Sequence, residues 1–357
     1  MPDGSSSPVI AARPTFAIDG RDRDALAGGL LGLEIVETVS GLYRCEALFG
    51  NWGVADGATG FLYFDRRTLD FGKSLEVKLG ADTLFKGRIH ALEARFPEGG
   101  PPQLAALAED RLQDLRMARR TRTFENVSDA DVISRIANDH GLTPDVSLGG
   151  GATHKVLAQV NQSDLAFVRD RARAVDAELW LEGDTLKAAK RTSRNAGVVP
   201  LAMGGLLREF SVIADLAGQR TNVVAAGWDV SGKAALSYDA GDSAISAEVG
   251  NDESGVSILS SAIGVRKETL AHGAPHASGE TQAQAEALMR AIARRFVVGR
   301  GVAQTSAALR VGAKVDVQSA GPLFSGRYYV CEVRHRFDGQ RGLRTEFRCE
   351  RPGIGRA

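Results

Sequence analysis

Residues 72–96 read GKSLEVKLGADTLFKGRIHALEARF, and residues 312–337 read GAKVDVQSAGPLFSGRYYVCEVRHRF. In the first run Leu75, Val77 and Leu79 alternate with polar residues up to a turn at Gly80-Ala81-Asp82, the period-two pattern of a half-buried strand. The second run keeps the same order: strand, turn, Leu-Phe, one residue, Gly-Arg, long strand. Leu84-Phe85 matches Leu323-Phe324, Gly87-Arg88 matches Gly326-Arg327, and Phe96 matches Phe337. One hairpin match carries little weight, because hairpins look alike. The shared LFxGR at an equivalent place points to an internal duplication.

Working outward, residues 14–111 read as short antiparallel strands, a barrel or sandwich: PTFAIDG, then LGLEIVETVSGLYRCEALFGN joined at Ser40-Gly41, the run above, and PPQLAALAED. Residues 112–198 form a small α/β domain. Ser128 caps a helix carrying Val132, Ile133, Ile136 and Ala137 and ended by Gly141. Ser163 caps a second helix, with Leu165, Val168, Ala172 and Val175 on one stripe, welded to a hairpin around Gly183-Asp184. Residues 199–235 and 298–352 are expected to build the second β-barrel domain, and 236–297 an insertion with a long helix. Residues 1–13 read as a flexible arm and 353–357 as a tail. The fold class is mixed β and α+β: two antiparallel β-barrel domains with the α/β domain inserted between them.

A chain of 357 residues is too long for one ordinary core, which agrees with this division. Lys+Arg equal Asp+Glu at 44 each, so net charge points to neither a nucleic acid nor a membrane. Aromatics at 6% count weakly against a carbohydrate-stacking site. No apolar run approaches the roughly 20 residues needed to span a bilayer, and the first residues lack the regions of a signal peptide. Folding in a cytoplasm and no membrane insertion are expected. Cys45, Cys331 and Cys349 suggest neither a disulfide framework nor a zinc site and read as core residues. Charge is uneven along the chain: Ser237–Met289 holds eight acidic residues against Arg266 and Lys267, and the stretch from Arg290 to the end holds fourteen basic against five acidic. Such an asymmetry suits assembly between complementary surfaces.

No catalytic motif emerges. There is no P-loop, no GxSxG elbow and no HExxH. His272 and His276 stand four apart, but Gly273 and Pro275 prevent a helix from holding both rings on one face, so a polar loop is expected in place of a metal site. Gly149–Gly151 precede a β run and read as a turn. Asp129 and Asp131 fit a first helical turn, where the helix dipole favours them. His90, His140, His154 and His335 are isolated. Arg119, Arg120 and Arg122 read as a salt-bridged interface strand, and Arg169, Arg171 and Arg173 are interleaved with Asp170 and Asp176.

The combination RTRTFENVSDADVISRIANDHGL, QVNQSDLAFVRDRARAVDAELWLEGDTL and LFKGRI resembles the phage late control D family. The positions that carry the likeness are Arg120 to Phe124, Ser128 to Leu142, and Gln159, Ser163, Asp164, Phe167, Arg171 and Ala172. These are hub proteins of contractile tails, related to the first part of the VgrG spikes of type VI secretion. The resemblance implies that both β-domains look like tail-tube subunits and that the α/β domain braces them without a reaction to perform. It implies a homotrimer with no cofactor, seating a sixfold inner tube or tube-initiator protein on one side and a threefold spike on the other. Because the chain ends at Ala357 after the second β-domain, the spike is expected on a separate polypeptide. Baseplate wedge proteins and a tape-measure protein are further expected partners, and the place is the baseplate of a phage virion or injection particle. Arg120, Arg122, Arg169, Arg171, Arg173, Arg294 and Arg295 are the interface candidates. The rival readings are a tail-associated cell-wall hydrolase and an envelope-binding module.

Overall fold

Gly72 and Gly312 turn their chains at φ +79° and +92°, a region glycine enters without a Cβ penalty. Each turn feeds a strand into a long antiparallel partner through the same two hydrogen bonds. Gly72 N–H donates to Ile89 O and Ile89 N–H to Lys73 O; Gly312 N–H donates to Val330 O and Val330 N–H to Ala313 O. The computed structural model describes residues 13–55, 57–270 and 275–356. The N-terminal arm, except Arg13, and His272 lie outside the described residues.

The first unit comprises β1 (Thr15–Ile18), β2 (Arg21–Asp22), α1 (Asp24–Gly29), β3 (Leu30–Thr38), β4 (Arg44–Gly50), β5 (Trp52–Ala55), β6 (Ala58–Phe61), β7 (Ser74–Leu79), β8 (Asp82–Arg95) and β9 (Gln103–Glu109). The α/β part follows: α2 (Leu112–Arg116), β10 (Arg119–Val127), α3 (Asp129–Asp139), β11 (Thr143–Ser147), β12 (His154–Ser163), α4 (Asp164–Ala174), β13 (Ala177–Glu182) and β14 (Thr185–Lys190). Next come β15 (Val198–Ala202) and β16 (Leu207–Ala214). An insertion then runs through β17 (Asn222–Asp229), β18 (Ala234–Ala240), α5 (Ser246–Val249), β19 (Glu253–Ser254), α6 (Gly255–Ala262), β20 (Lys267–Thr269) and α7 (Ser278–Ala293). The chain closes with β21 (Val297–Gln304), β22 (Lys314–Gln318), α8 (Gly321–Phe324), β23 (Gly326–Asp338), β24 (Gly342–Arg351) and β25 (Gly353–Ile354).

Strand order in the first unit is β3-β4-β9-β8-β7-β1, and in the second β16-β21-β24-β23-β22-β15. The registers agree pair by pair. Ile89 faces Ala108, His90 bulges, and Ala91 faces Leu107; Val330 faces Cys349, Cys331 bulges, and Glu332 faces Arg348. A second bulge also repeats, at Leu31 between β3 and β4 and at Arg208 between β16 and β21. One orientation differs: β1 runs antiparallel to β7, whereas β15 runs parallel to β22.

Side-chain volume is exchanged across equivalent pairs. Cys45 opposite Ala108 becomes Gly299 opposite Cys349, and Ala47 opposite Ala106 becomes Gly301 opposite Phe347. In the first pair the cysteine moves from one strand to the other; in the second a glycine leaves room for the Phe347 ring, 2.5 Å from where its Cβ would stand, as close packing requires.

The register corrects the motif that first suggested the repeat. Val315 and Val317 face Tyr328 and Gly326, as Leu75 and Val77 face Gly87 and Phe85. Gly326 therefore takes the place of Phe85, not of Gly87. Leu323-Phe324 lies in the helical turn α8, while Leu84-Phe85 is buried in a strand. Only the Phe96–Phe337 match survives, because the long strands correspond at one constant offset, Gly87 with Tyr328, Ile89 with Val330 and so on to Phe96 with Phe337.

The expected barrels are corrected too. Among the described residues no barrel closes; both units run in one 13-stranded sheet. The reason is the strand edge: β3 pairs with β23 of the second unit, from Gly32–Asp338 to Thr38–Glu332. The first core accordingly includes Phe337 and Leu343 from the second unit. The boundary at 235 also moves. β17 belongs to a separate sheet with β18 and β20, packed on α7, so the second unit's large-sheet strand ends at Ala214.

The α/β part forms as its local chemistry dictates. Ser128 and Asp131 make a reciprocal capping box on α3, and Gly141 takes φ +64° after its end. Ser163 caps α4 by accepting from Ala166 N–H at 3.2 Å. Both helices bury their apolar stripes in one cluster with Phe124, Leu179 and Leu186.

Candidate functional site

Alternation along the long strands gives the sheet two chemically different faces. Val333, His335 and Phe337 point to the core; Glu332, Arg334 and Arg336 point away. On that outer face ion pairs cross from strand to strand. Arg336 reaches Glu34 at 2.6 Å and Glu346 at 3.4 Å, and Arg95 reaches Glu46 at 2.8 Å. Half-exposed pairs of this kind contribute little stability each. Their effect is to keep a broad face wet and charged.

Several strand edges of the sheet carry no partner among the described residues, those of β15 and β2 included, and two of them bear on the repeat. One is the outer edge of β16, which ends the sheet. The other is β8 beyond its bulge, where β9 pairs on one side but β7 has already ended at Ser74–Arg88. Beside this edge stands a chain of aromatics: Phe96 against Phe64 at 6.0 Å between ring centroids, Phe64 against Phe61 at 4.8 Å, and Phe61 against Trp52 at 5.3 Å. Trp52, Phe61 and Phe96 are all exposed. The sequence reading did not single out Trp52 or Phe61; the Phe96–Phe337 match was the one signal there.

Of the seven interface arginines expected from the sequence, one is buried, three are partly buried and three are exposed, and most reach a partner within the chain. Arg120 and Arg122 converge on Asp164 at 3.1 and 2.8 Å, joined by His140 at 2.9 Å. Burial alone would raise the Asp164 carboxyl, but hydrogen bonds from His140 and Gln159 and the two guanidiniums hold it below the usual range. Arg169 donates to the carbonyls of Ser40 and Gly41, tying α4 to the β3–β4 turn. Arg171 binds Asp129 at 2.5 Å. Arg294 is 3% exposed and is held between Asp176 and Glu248. It is therefore not a surface residue, which corrects its expected place on an outward interface. Arg120, Arg173 and Arg295 are exposed.

The charge asymmetry is likewise met partly inside the chain, by Glu248 with Arg294 and Asp252 with Arg351. A further buried cluster locks the units together. Arg194 donates to Glu178 Oε2 at 2.9 Å, Tyr43 Oη at 3.0 Å and Val311 O at 3.1 Å, and Tyr329 donates to the same Glu178 oxygen at 2.5 Å. Burial, then the neighbouring Glu178 charge, pushes the Tyr329 phenol up, so it stays a donor.

A cavity of about 630 Å³ lies between the α/β part and α7. His154 stands in its wall, 3.3 Å from Asp129 and 3.7 Å from Glu280. Gly149–Gly151 line the mouth. His154, Asp129, Arg171 and Glu280 are engaged with one another, while Gln284 Oε1 is buried without a hydrogen-bond partner, and among the described residues no three His, Cys, Asp or Glu side chains are grouped to hold a metal. Cys45, Cys331 and Cys349 are buried free thiols.

The architecture is similar to that of solved phage tail proteins. The 43 kDa tail protein of prophage MuSo2 from Shewanella oneidensis superposes with TM-score 0.70 at 11% identity, covering 95% of this chain and 98% of that one. A tail protein from Neisseria meningitidis MC58 gives 0.68 at 13%, covering 96% and 97%. An E. coli type VI secretion component, described as similar in structure to the T4 bacteriophage tail proteins gp27 and gp5, gives 0.56 at 13%, covering 92% and 76%. At these identities the likeness is one of fold: this is the fold of phage tail proteins. By sequence, the chain belongs to the Alg8 N-terminal domain family, whose model matches residues 55–338. No curated protein sequence matches it. Among the described residues no helix is long and apolar enough to cross a membrane.

Proposed function

We propose that this protein is a structural central hub of a contractile tail or contractile injection system baseplate, acting as a homotrimer without catalysis. The observation that carries the reading is the repeat: two six-stranded units of one register in a single chain. Three copies would present six equivalent units, matching a sixfold inner tube. The α/β part and the insertion occur once per chain, so the same ring is threefold there and fits a spike. Buried ion clusters such as Arg194–Glu178 fix the units against one another, which suits a part that transmits force. On this reading the chain is made in a bacterial cytoplasm and ends in the particle, with wedge and tape-measure proteins as neighbours.

The test is to tag the chain in its own host, purify particles and image them by electron microscopy. Three copies at the junction of tube and spike would support the reading. Particles lacking the chain, or holding six copies along the tube, would remove it.

A further inference from the structure

The two units are joined within the chain by a strand pairing whose counterpart is left unfilled. β23 beyond its bulge accepts β3 along one edge, with Phe337 opposite Leu33, His335 opposite Ile35 and Val333 opposite Glu37. Structural equivalence sets Ala91–Phe96 of β8 in the place of Glu332–Phe337, and β16 in the place of β3, through the shared bulges and registers. Both counterpart edges lack a partner among the described residues.

We infer that β16 of one copy pairs antiparallel with the Ala91–Phe96 edge of β8 in a second copy of this chain. The in-chain junction dictates the register. Phe96 falls opposite Phe210, Arg95 opposite Ser211, Ala94 opposite Val212, and Leu92 opposite Ala214. The positions that would turn to the core side are Phe96, Ala94 and Leu92 on one edge and Phe210, Val212 and Ala214 on the other. All six are apolar, which a slip of one residue would destroy. Phe96 is 66% exposed in the single chain, whereas its counterpart Phe337 is 8% exposed because β3 and the first core cover it. Charges stand on these edges, Glu93 and Arg95 on one and Arg208 and Glu209 on the other, as edge strands commonly show, but they turn to the outer side or sit at the strand's start and leave the core-side row apolar. The edges also carry exposed Ile213 and the aromatic chain from Phe96 to Trp52.

The junction between copies is the weaker of the two. Within the chain, Arg336 pairs with Glu34, and buried Glu37 accepts from Val311 N–H at 3.0 Å and Arg310 at 3.1 Å. The counterparts of Glu34 and Glu37 are Ser211 and Ala214, which offer no carboxylate. Copies therefore fold first and associate afterwards. The inference deepens the hub reading and rests on it only for the number of copies in the ring.

The test uses the full chain. One preparation carries Arg95→Cys alone and another Ser211→Cys alone; they are mixed and mildly oxidised. A disulfide-linked dimer that forms only in the mixture is expected, and the double variant should give a ladder ending at the closed ring. Pairing Glu93→Cys with Ser211→Cys, two residues out of register, should stay at background. Phe96→Glu lies on an exposed position, so it should leave the melting curve of the single chain unchanged while abolishing association. Oligomers that form without the Arg95–Ser211 cross-link, or that survive Phe96→Glu, would overturn the pairing and leave the hub reading standing. A chain that stays monomeric at every concentration and never cross-links would overturn it as well. Absence of the chain from purified particles would remove the hub reading and leave the pairing standing.

Discussion

Phe96 and Phe337 occupy the same place in the two units, one residue past equivalent stretches of β8 and β23, yet Phe96 is 66% exposed and Phe337 8%. The difference comes from what lies beside them. Phe337 has Leu33 of β3 opposite it and belongs to the first core; Phe96 has the edge of the Phe64 ring on one side and no strand beside it. Truncating the two should thus have unequal effects. Phe337→Ala is expected to cost about 3–5 kcal/mol of unfolding free energy, as for large-to-small changes in a core. Phe96→Ala should stay within about 0.5 kcal/mol in the unassociated chain. Denaturant titrations of both variants check this, and equal losses would refute the asymmetry.

The neighbouring arginines of α7 should separate just as clearly. Arg294 is buried between Asp176 and Glu248, while Arg295 is exposed and reaches only Ala291 O. Arg294→Ala leaves Glu248 without its paired cation and Asp176 with the more distant Arg290 at 3.9 Å, and breaking a buried pair in this way costs about 3–5 kcal/mol. Arg295→Ala should be near neutral. If both variants melt with the wild type, the clamp between the α/β part and the insertion carries no weight.

His335 gives the fold an acid limit. It is almost fully buried, its Nδ1 2.8 Å from Thr345 Oγ1, and burial, aided by the nearby Arg310 charge, pushes its pKa down to about 4. The folded value lies below the ordinary value of about 6.5, so the unfolded chain binds more protons between the two. The contribution of neutral His335 is therefore complete above pH ~6.5 and is lost as pH falls towards about 4. Asp110 works in the opposite sense, since burial raises its pKa to about 7. Comparing His335→Gln with wild type isolates the histidine: the gap in stability between them should vary across this window. A gap independent of pH would show that His335 does not titrate as described.

The exchanged volumes of the two units offer a packing test. A Cβ on Gly301 would stand 2.5 Å from the Phe347 ring. Gly301→Ala should cost about 1–3 kcal/mol through overpacking. Adding Phe347→Leu should recover part of that loss, because the first unit holds Ala47 and Ala106 at the same two positions. Strict additivity in the double variant would argue against this exchange.

Several elements were legible in the chain because their causes are local. The helix from Ser128 to Gly141 needs only a capping box, a stripe of apolar residues and a glycine at its end. The hairpin at Gly183-Asp184 and the alternation of β7 are nearest-neighbour patterns of the same kind. The repeat was legible as well, although through a motif whose halves prove to be out of step by two residues. The partners that the interface arginines find within the chain were not legible. A guanidinium on the sequence carries no sign of whether its carboxylate will come from the same chain, and the Arg294 partner Asp176 lies 118 residues away.

The sequence by itself thus determined the local elements and the existence of two related β units around an α/β part. Their period, caps and turns depend on residues a few positions apart. Only the tertiary structure decided that the units share one open sheet in place of two barrels, that Arg294 faces inward, and that β3 covers Phe337 while no strand of the described residues covers Phe96. Those outcomes depend on which edge meets which strand across hundreds of residues. Any strand of suitable alternation offers its backbone equally to several partners, so the choice rests on long-range packing that no local pattern records.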